Sequence, residues 1–216
     1  ITTDNTAGTI SVGYVDTGVS GDTITSNGVV TVALTSDVAS WEYSTNANAS
    51  DSDVVWHVGG GNSFSLAEGD YASGAVKVRQ TDLAGNTTET SIVAITVDHS
   101  VAAPGVVLAS DSGLLSTDGI TTSTTLNVSH LESGATWRYS LDGGSEWVAG
   151  TGSTISLDSD ATYAAGRIVV EQTDKAGNVS STVYGASITT DNTAGTISVG
   201  YVDTGVSSSD HITSNG

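Results

Sequence analysis

Apolar and polar residues alternate with period two over short stretches of this chain, and clusters of Gly, Ser, Asp and Asn separate the stretches. Such alternation marks a strand with one buried and one wet face. Over residues 1–97 it predicts seven strands, near 9–15, 29–35, 40–45, 56–57, 63–66, 75–81 and 88–97. In the sixth, Val76, Val78 and Gln80 share one face, while Lys77 and Arg79 take the other. Strands of this length joined by turns predict an all-β fold of tandem immunoglobulin-like β-sandwiches in a linear array, and 216 residues suit two modules of about 100.

Single residues refine this picture. Trp41 and Trp137 open the third strand of each module, where a large aromatic plugs the middle of such a sandwich. Tyr71 and Tyr163 precede the sixth strand, the place of a tyrosine corner. Ala-Gly-Asn at 84–86 and 176–178 supplies a hairpin with residues that tolerate positive φ.

The chain repeats itself. Residues 1–20 recur unchanged at 188–207, and Ile24-Thr25-Ser26-Asn27-Gly28 returns as Ile212-Thr213-Ser214-Asn215-Gly216 after a one-residue insertion. Inside this long period runs a weaker one of roughly 92–96 residues. It pairs Trp41-Glu42-Tyr43-Ser44 with Trp137-Arg138-Tyr139-Ser140, and Gln80-Thr81-Asp82 with Gln172-Thr173-Asp174. The expected organisation is a type A module over 1–97, a type B module over 98–190 and the start of another type A module over 191–216. That start lacks the later strands of its module, which predicts a frayed tail or an edge strand borrowed by a neighbour.

Composition narrows the chemistry. With 24 acids against 5 bases the chain has no basic footprint for a nucleic-acid backbone. Without cysteine it has neither disulfides nor thiolate sites, and His57, His99, His130 and His211 are too scattered to form a zinc ligand set. No apolar run approaches the length that spans a membrane, so direct membrane insertion is not expected. The first residues carry neither a basic stretch nor an apolar one, as expected of a segment from inside an array. Eighteen of the acids are Asp, a residue of turns and of compact oxygen cages for hard cations.

Strand direction places these acids. Successive loops of a sandwich alternate between its two ends, so Asp16 and Asp22 fall at the lower end of the first module, where the chain leaves through Asp98. Asp174 lies on a turn at the upper end of the second module, directly below. The same reasoning assigns Asp111, Asp118 and Asp191 to the next junction, Asp4 and Asp82 to the preceding one, and Asp203 and Asp210 to the tail. Taken singly, each Asp reads as a turn residue. As a recurrent set they read as ligands of calcium, which accepts six to eight mixed oxygens, whereas magnesium demands stricter octahedral geometry.

The pattern Trp-x-Tyr-Ser, Gln-Thr-Asp-x-Ala-Gly-Asn, Asp-x-(Ser/Thr), Asp-(Ser/Thr)-Gly and Asp-x-Ile-Thr resembles the bacterial immunoglobulin-like extender repeats of giant type I-secreted RTX adhesins. The resemblance covers both modules and the tail. It implies a calcium-stiffened spacer at the bacterial cell surface, whose partners are the neighbouring modules and whose parent grips a distal ligand elsewhere, in attachment and biofilm formation. Module one departs from the pattern with five extra residues between Trp41 and Trp56, Asp51 and Asp53 among them, which suggests a local extra site. Two other functions are weighed. A ligand-binding adhesin module would use Trp56 or Trp147 for carbohydrate, or the many Thr for ice. An enzyme is not expected, because no His recurs beside a nucleophile or carboxylate.

Overall fold

The computed structural model describes residues 2–48, 52–204, 206–207, 209 and 211–213. The described chain is all β. Its first half holds β1 (Ser11–Tyr14), β2 (Ile24–Thr25), β3 (Val29–Ala33), β4 (Val38–Ser44) and β5 (His57–Val58). It continues through β6 (Ser63–Ser65), β7 (Gly69–Tyr71), β8 (Lys77–Asp82), β9 (Thr87–Ser91) and β10 (Ile95–Val97). The second half opens with β11 (Gly105–Leu108), β12 (Ile120–Thr121), β13 (Thr125–Ser129), β14 (Thr136–Ser140) and β15 (Val148–Ala149). It closes with β16 (Thr154–Ser156), β17 (Thr162–Tyr163), β18 (Val169–Thr173), β19 (Val179–Val183) and β20 (Ile188–Thr190).

Each half builds the same three sheets. The orders β1-β3-β6, β5-β4-β8-β9 and β2-β10-β7 become β11-β13-β16, β15-β14-β18-β19 and β12-β20-β17. The weak sequence period is thus a strand-for-strand structural repeat, and the chain is a tandem of β-sandwiches. Alternation sets the buried face: β8 buries Val78, Gln80 and Asp82 while Lys77, Arg79 and Thr81 stay half-buried. Each half closes on its own core, Val30, Trp41, Phe64, Val78 and Ile95 in one, Leu126, Ile155, Ile168, Val170 and Ile188 in the other.

Two expectations about strands need correction. The single strand expected over 88–97 is two, because burial falls on Ile92, then on Ile95 and Val97, with Val93 59% exposed between them. That break in alternation is where the chain leaves β8 and crosses to pair with β7 and, in parallel, with β2. The short β2 and β7 escape a periodicity reading because two or three residues carry no period. As for the tail, the described residues of 191–213 form no strand, and Ile197 and Val199 stand 92% and 94% exposed. They are not an edge strand of either sandwich.

Trp41 is buried and its indole Nε1 donates to Gly61 O at 3.1 Å. Trp137 is half-buried. The tyrosines tie their own corners: Tyr71 Oη donates to Ala67 O at 3.1 Å, and the Asp158 N–H donates to Tyr163 Oη at 3.0 Å.

Candidate metal centre at the module junctions

The junction is built from a loop, a linker and a turn. In the β1–β2 loop, the Thr25 hydroxyl donates to Val15 O and the Ser26 N–H donates to Thr17 Oγ1, at 2.7 Å each. The Gly21 N–H binds Asp16 Oδ2 at 2.6 Å and the Ile24 N–H binds Asp22 Oδ1 at 3.0 Å. The other oxygens, Asp16 Oδ1 and Asp22 Oδ2, are buried with no hydrogen-bond partner. The β11–β12 loop repeats the frame: the Gly119 N–H binds Asp111 Oδ2, Asp118 Oδ1 accepts from Ile120, and Asp111 Oδ1 is a buried orphan. So does the tail, where the His211 N–H binds Asp203 Oδ2 and Asp203 Oδ1 is orphaned. Asp210, also expected there, lies outside the described residues, as does Asp51. The orphan therefore belongs to the loop itself. An unmade hydrogen bond at a buried polar atom costs about 1–3 kcal/mol, which a bound cation would offset.

The linker joins the two modules through Asp98. Its N–H donates to Thr25 O at 2.9 Å, placing it beside the loop of the first module. Its carbonyl accepts from Asn178 Nδ2 at 2.8 Å, tying it to the second. In that module's β18–β19 turn, Asn178 donates through its N–H to Asp174 Oδ1 and through its amide to Asp174 Oδ2, at 2.8 and 2.7 Å. Asp98, Glu132 and Asp174 then each offer a carboxylate oxygen within 4.8 Å of the others. At an effective dielectric of about 20, two carboxylates roughly 5 Å apart repel by about 3 kcal/mol. Among the described residues the ion pairs are Lys77–Glu89, Arg79–Glu42 and Arg138–Glu171, so no base forms an ion pair with this trio.

The upper end of the first module mirrors it. Asp4, Asp37 and Asp82 form the second trio within 4.8 Å, and Asn86 Nδ2 donates to Asp4 O at 3.3 Å. The Asn86 side-chain amide, with the N–H groups of Asn86, Ala84 and Gly85, holds the Asp82 carboxyl below its ordinary range against the effect of burial. Asp4 and Asp98 each accept an N–H from two residues on, Thr6 at 3.1 Å and Ser100 at 3.2 Å, and Asp191 accepts from Thr193 at 3.2 Å. Below the second module, the Asp191 N–H donates to Thr121 O, as Asp98 does to Thr25.

Strand polarity therefore places these acids at the expected ends, with one difference of grouping. Asp98 and Asp174 share a trio, whereas Asp16 and Asp22 flank the loop that docks against it and are not among its members. Two members were not singled out from sequence, Asp37 in the β3–β4 loop and Glu132 in the β13–β14 loop. Both loops belong to the upper end by strand direction, and that was the available signal; the two acids differ in type and are offset by one position in the repeat, so landmark matching passes over them. All members are oxygen donors, a set that suits a hard cation such as calcium rather than zinc.

On the outer sheet, Arg79 stacks over Trp56 at 4.1 Å and Arg138 over Trp147 at 4.4 Å. A guanidinium thus occupies a face of each ring that a sugar would use.

Fold and junctions define a tandem array of β-sandwiches with acid-rich contacts between neighbours. No family model and no curated protein matches the chain. Among solved structures it is similar to the fibronectin(III)-like modules of Clostridium thermocellum CbhA, at 12% identity and a TM-score of 0.41, over 85% of this chain and 94% of that one. It is also similar to a structure from a study of host cell surface retention of a 1.5-MDa bacterial ice-binding adhesin, at 14% identity and a TM-score of 0.35, over 88% of this chain and 67% of that one. Both are distant likenesses.

Proposed function

We propose that this chain is a calcium-rigidified spacer, a run of extender modules of a bacterial cell-surface adhesin, with modules over 1–97 and 98–190 and a third beginning at 191. Its role is mechanical and non-enzymatic: it holds a distal ligand-binding region away from the cell. The observation that carries this reading is the trio of Asp98, Glu132 and Asp174, whose carboxylates gather within 4.8 Å between the linker and the second module, none of them in an ion pair with a base. Calcium at that point joins the linker to two loops of the second module, and the adjoining Asp16 and Asp22 offer it further oxygens. Extracellular calcium modules bind at about 10⁻⁴–10⁻³ M. At about tenfold excess of free ion each site adds roughly 1.4 kcal/mol to the occupied state. One site is a modest clamp; a long series makes a stiff rod.

Small-angle scattering with calcium and then with chelator tests the proposal. The expected result is an unchanged β-sheet circular dichroism signal with a shorter, more variable particle once calcium is removed, and Asp98→Ala should give the chelated dimensions even in calcium. Equal dimensions in both buffers would overturn it.

A further inference from the structure

Each module carries one surface at its lower end and a complementary one at its upper end, and among the described residues one pair of them is mated. There the Thr17 hydroxyl donates to Ala176 O at 2.6 Å and the Val19 N–H donates to Lys175 O at 3.0 Å. Gly18 sits between them at φ +70, and a Cβ on it would come within 2.1 Å of Lys175 O and 2.6 Å of Gly177 N. Glycine is what allows the two backbones to touch. The contact belongs to a fully buried Ala176.

The unmated surfaces have the same frames. At the upper end of the first module, the β8–β9 turn makes the bonds of its counterpart, the Asn86 N–H and amide on Asp82 at 2.8 Å each. Yet Ala84 is exposed and Leu83, which stands where Lys175 stands, is 80% exposed. At the lower end of the second module, Ser112 takes the place of Thr17: its hydroxyl lies 2.8 Å from Thr122 Oγ1 and accepts the Thr122 N–H at 2.8 Å. Gly113 again has positive φ, at 136°. Leu114 and Leu115, in the places of Val19 and Ser20, are 101% and 60% exposed. Both free surfaces therefore present leucine where the mated pair has Val19, Ser20 and Lys175.

We propose that the lower end of the second module is a docking surface for the turn of a type A module, the Leu83-Ala84-Gly85 type. The mated junction shows what this kind of loop receives. Residues 188–207 repeat 1–20 without change, so the chain that follows the second module begins as type A. Leu114 and Leu115 close over the leucine of the incoming turn. The Leu114 N–H and the Ser112 hydroxyl bind the carbonyls that correspond to those bound by Val19 and Thr17.

The same contact favours an apolar residue on the incoming turn. Lysine in place of the leucine of a type A turn would bring an ammonium against Leu114, and desolvating that charge without a partner is unfavourable. Lys175 avoids this by lying over Gly134 of its own module, where a Cβ would meet its Cε at 2.5 Å and where the type A module has Val38. The two junction types thus have different chemistry in the residues beside the shared frame of Asp, hydroxyl and Gly. The inference rests on the reading of the chain as an array, but not on calcium.

The test uses the chain extended past residue 216 by its own residues 29–97, which completes the third module. The chain has no cysteine, so introduced thiols react alone. One variant carries Leu114→Cys together with Cys in place of the leucine of the appended turn. A control carries Val19→Cys and Lys175→Cys. With a short bismaleimide in calcium, both should cross-link within one chain to comparable yield. A second pair, Leu115→Cys with Cys at the appended copy of Ala84, is compared with and without Lys at the leucine of that turn; Lys should lower its yield about tenfold, equivalent to about 1.4 kcal/mol. A control that links while the Leu114 pair does not overturns the docking, and so does a yield indifferent to the lysine. Scattering on the same extended chain separates the two proposals: linkage with calcium-independent dimensions sinks the calcium spacer and leaves the docking in place.

Discussion

The two sandwiches share one frame and fill it differently. In the first, Tyr43 stacks on Phe64 at 4.1 Å and Trp41 lies 6.2 Å from Phe64. In the second, Ile155 takes the place of Phe64 opposite its own β13 partner Leu126, and Trp137 is left half-buried. Charge is exchanged as well. Glu42 faces Arg79 across β4 and β8, while Arg138 faces Glu171 across β14 and β18. The same cross-strand pair survives with its ends reversed. What does not change is the Asp-centred frame of the β1–β2 and β11–β12 loops and of the β8–β9 and β18–β19 turns. The comparison teaches that side-chain volume and the direction of an ion pair are interchangeable within this sandwich, whereas the Asp, hydroxyl and Asn contacts of those loops and turns are not.

The largest expected break in the comparison is at the tryptophans. Trp41→Ala should cost the first module about 3–5 kcal/mol, the range for deleting a buried aromatic. Trp137→Ala should cost the second clearly less, since its ring is half-buried. Denaturant unfolding of each variant checks this, and equal losses would mean that the two cores are not differently filled.

The buried glutamines come next. Gln172 donates to Ala102 O and His130 O at 2.7 and 2.9 Å and accepts from the Glu132 N–H at 3.0 Å. Gln80 donates to Thr35 Oγ1 at 3.1 Å, and its Oε1 is a buried orphan. Gln172→Leu should therefore lose about 1–3 kcal/mol for each group it leaves unpaired, while Gln80→Leu is close to neutral. Thermal melts of the two variants rank them.

Gly18→Ala should act at the junction and spare both cores, at a cost of about 1–2 kcal/mol for left-handed backbone alone and more for the contact with Lys175 O. A spin-label or fluorophore pair placed across the junction should report a wider distance distribution. An unchanged distribution would count against the latch.

The smallest expected effect is a difference in acid response. Asp142 accepts from the Ser145 and Glu146 N–H groups and from the Ser140 hydroxyl, where the first module has Asn46 against Ser44. The Glu146 N–H above all, with the Ser140 hydroxyl, holds the Asp142 carboxyl below its ordinary value. Because the folded pKa is lowered, its contribution is full above the unfolded value of about 3.9 and fades as pH falls through the folded one. Amide shifts of Ser145 and Glu146 should titrate below pH about 4, with no matching change at Asn46, and Asp142→Asn should abolish the response.

Much of this protein is legible in its sequence. Alternation and repeats predict all-β sandwiches in tandem, and local chemistry predicts the Asp-centred loops, because both depend on neighbours within a few residues. Strand direction even assigns the recurrent Asp residues to ends of their modules. Tertiary structure alone decides the rest. That Asp37 and Glu132 join the trios, and that Ala176 is covered while Ala84 stands open, are facts about segments far apart in the chain. Periodicity records which face of a strand is buried. It does not record what a loop at the end of a sandwich meets, because that depends on the packing of two bodies and on distances of a few ångströms between them.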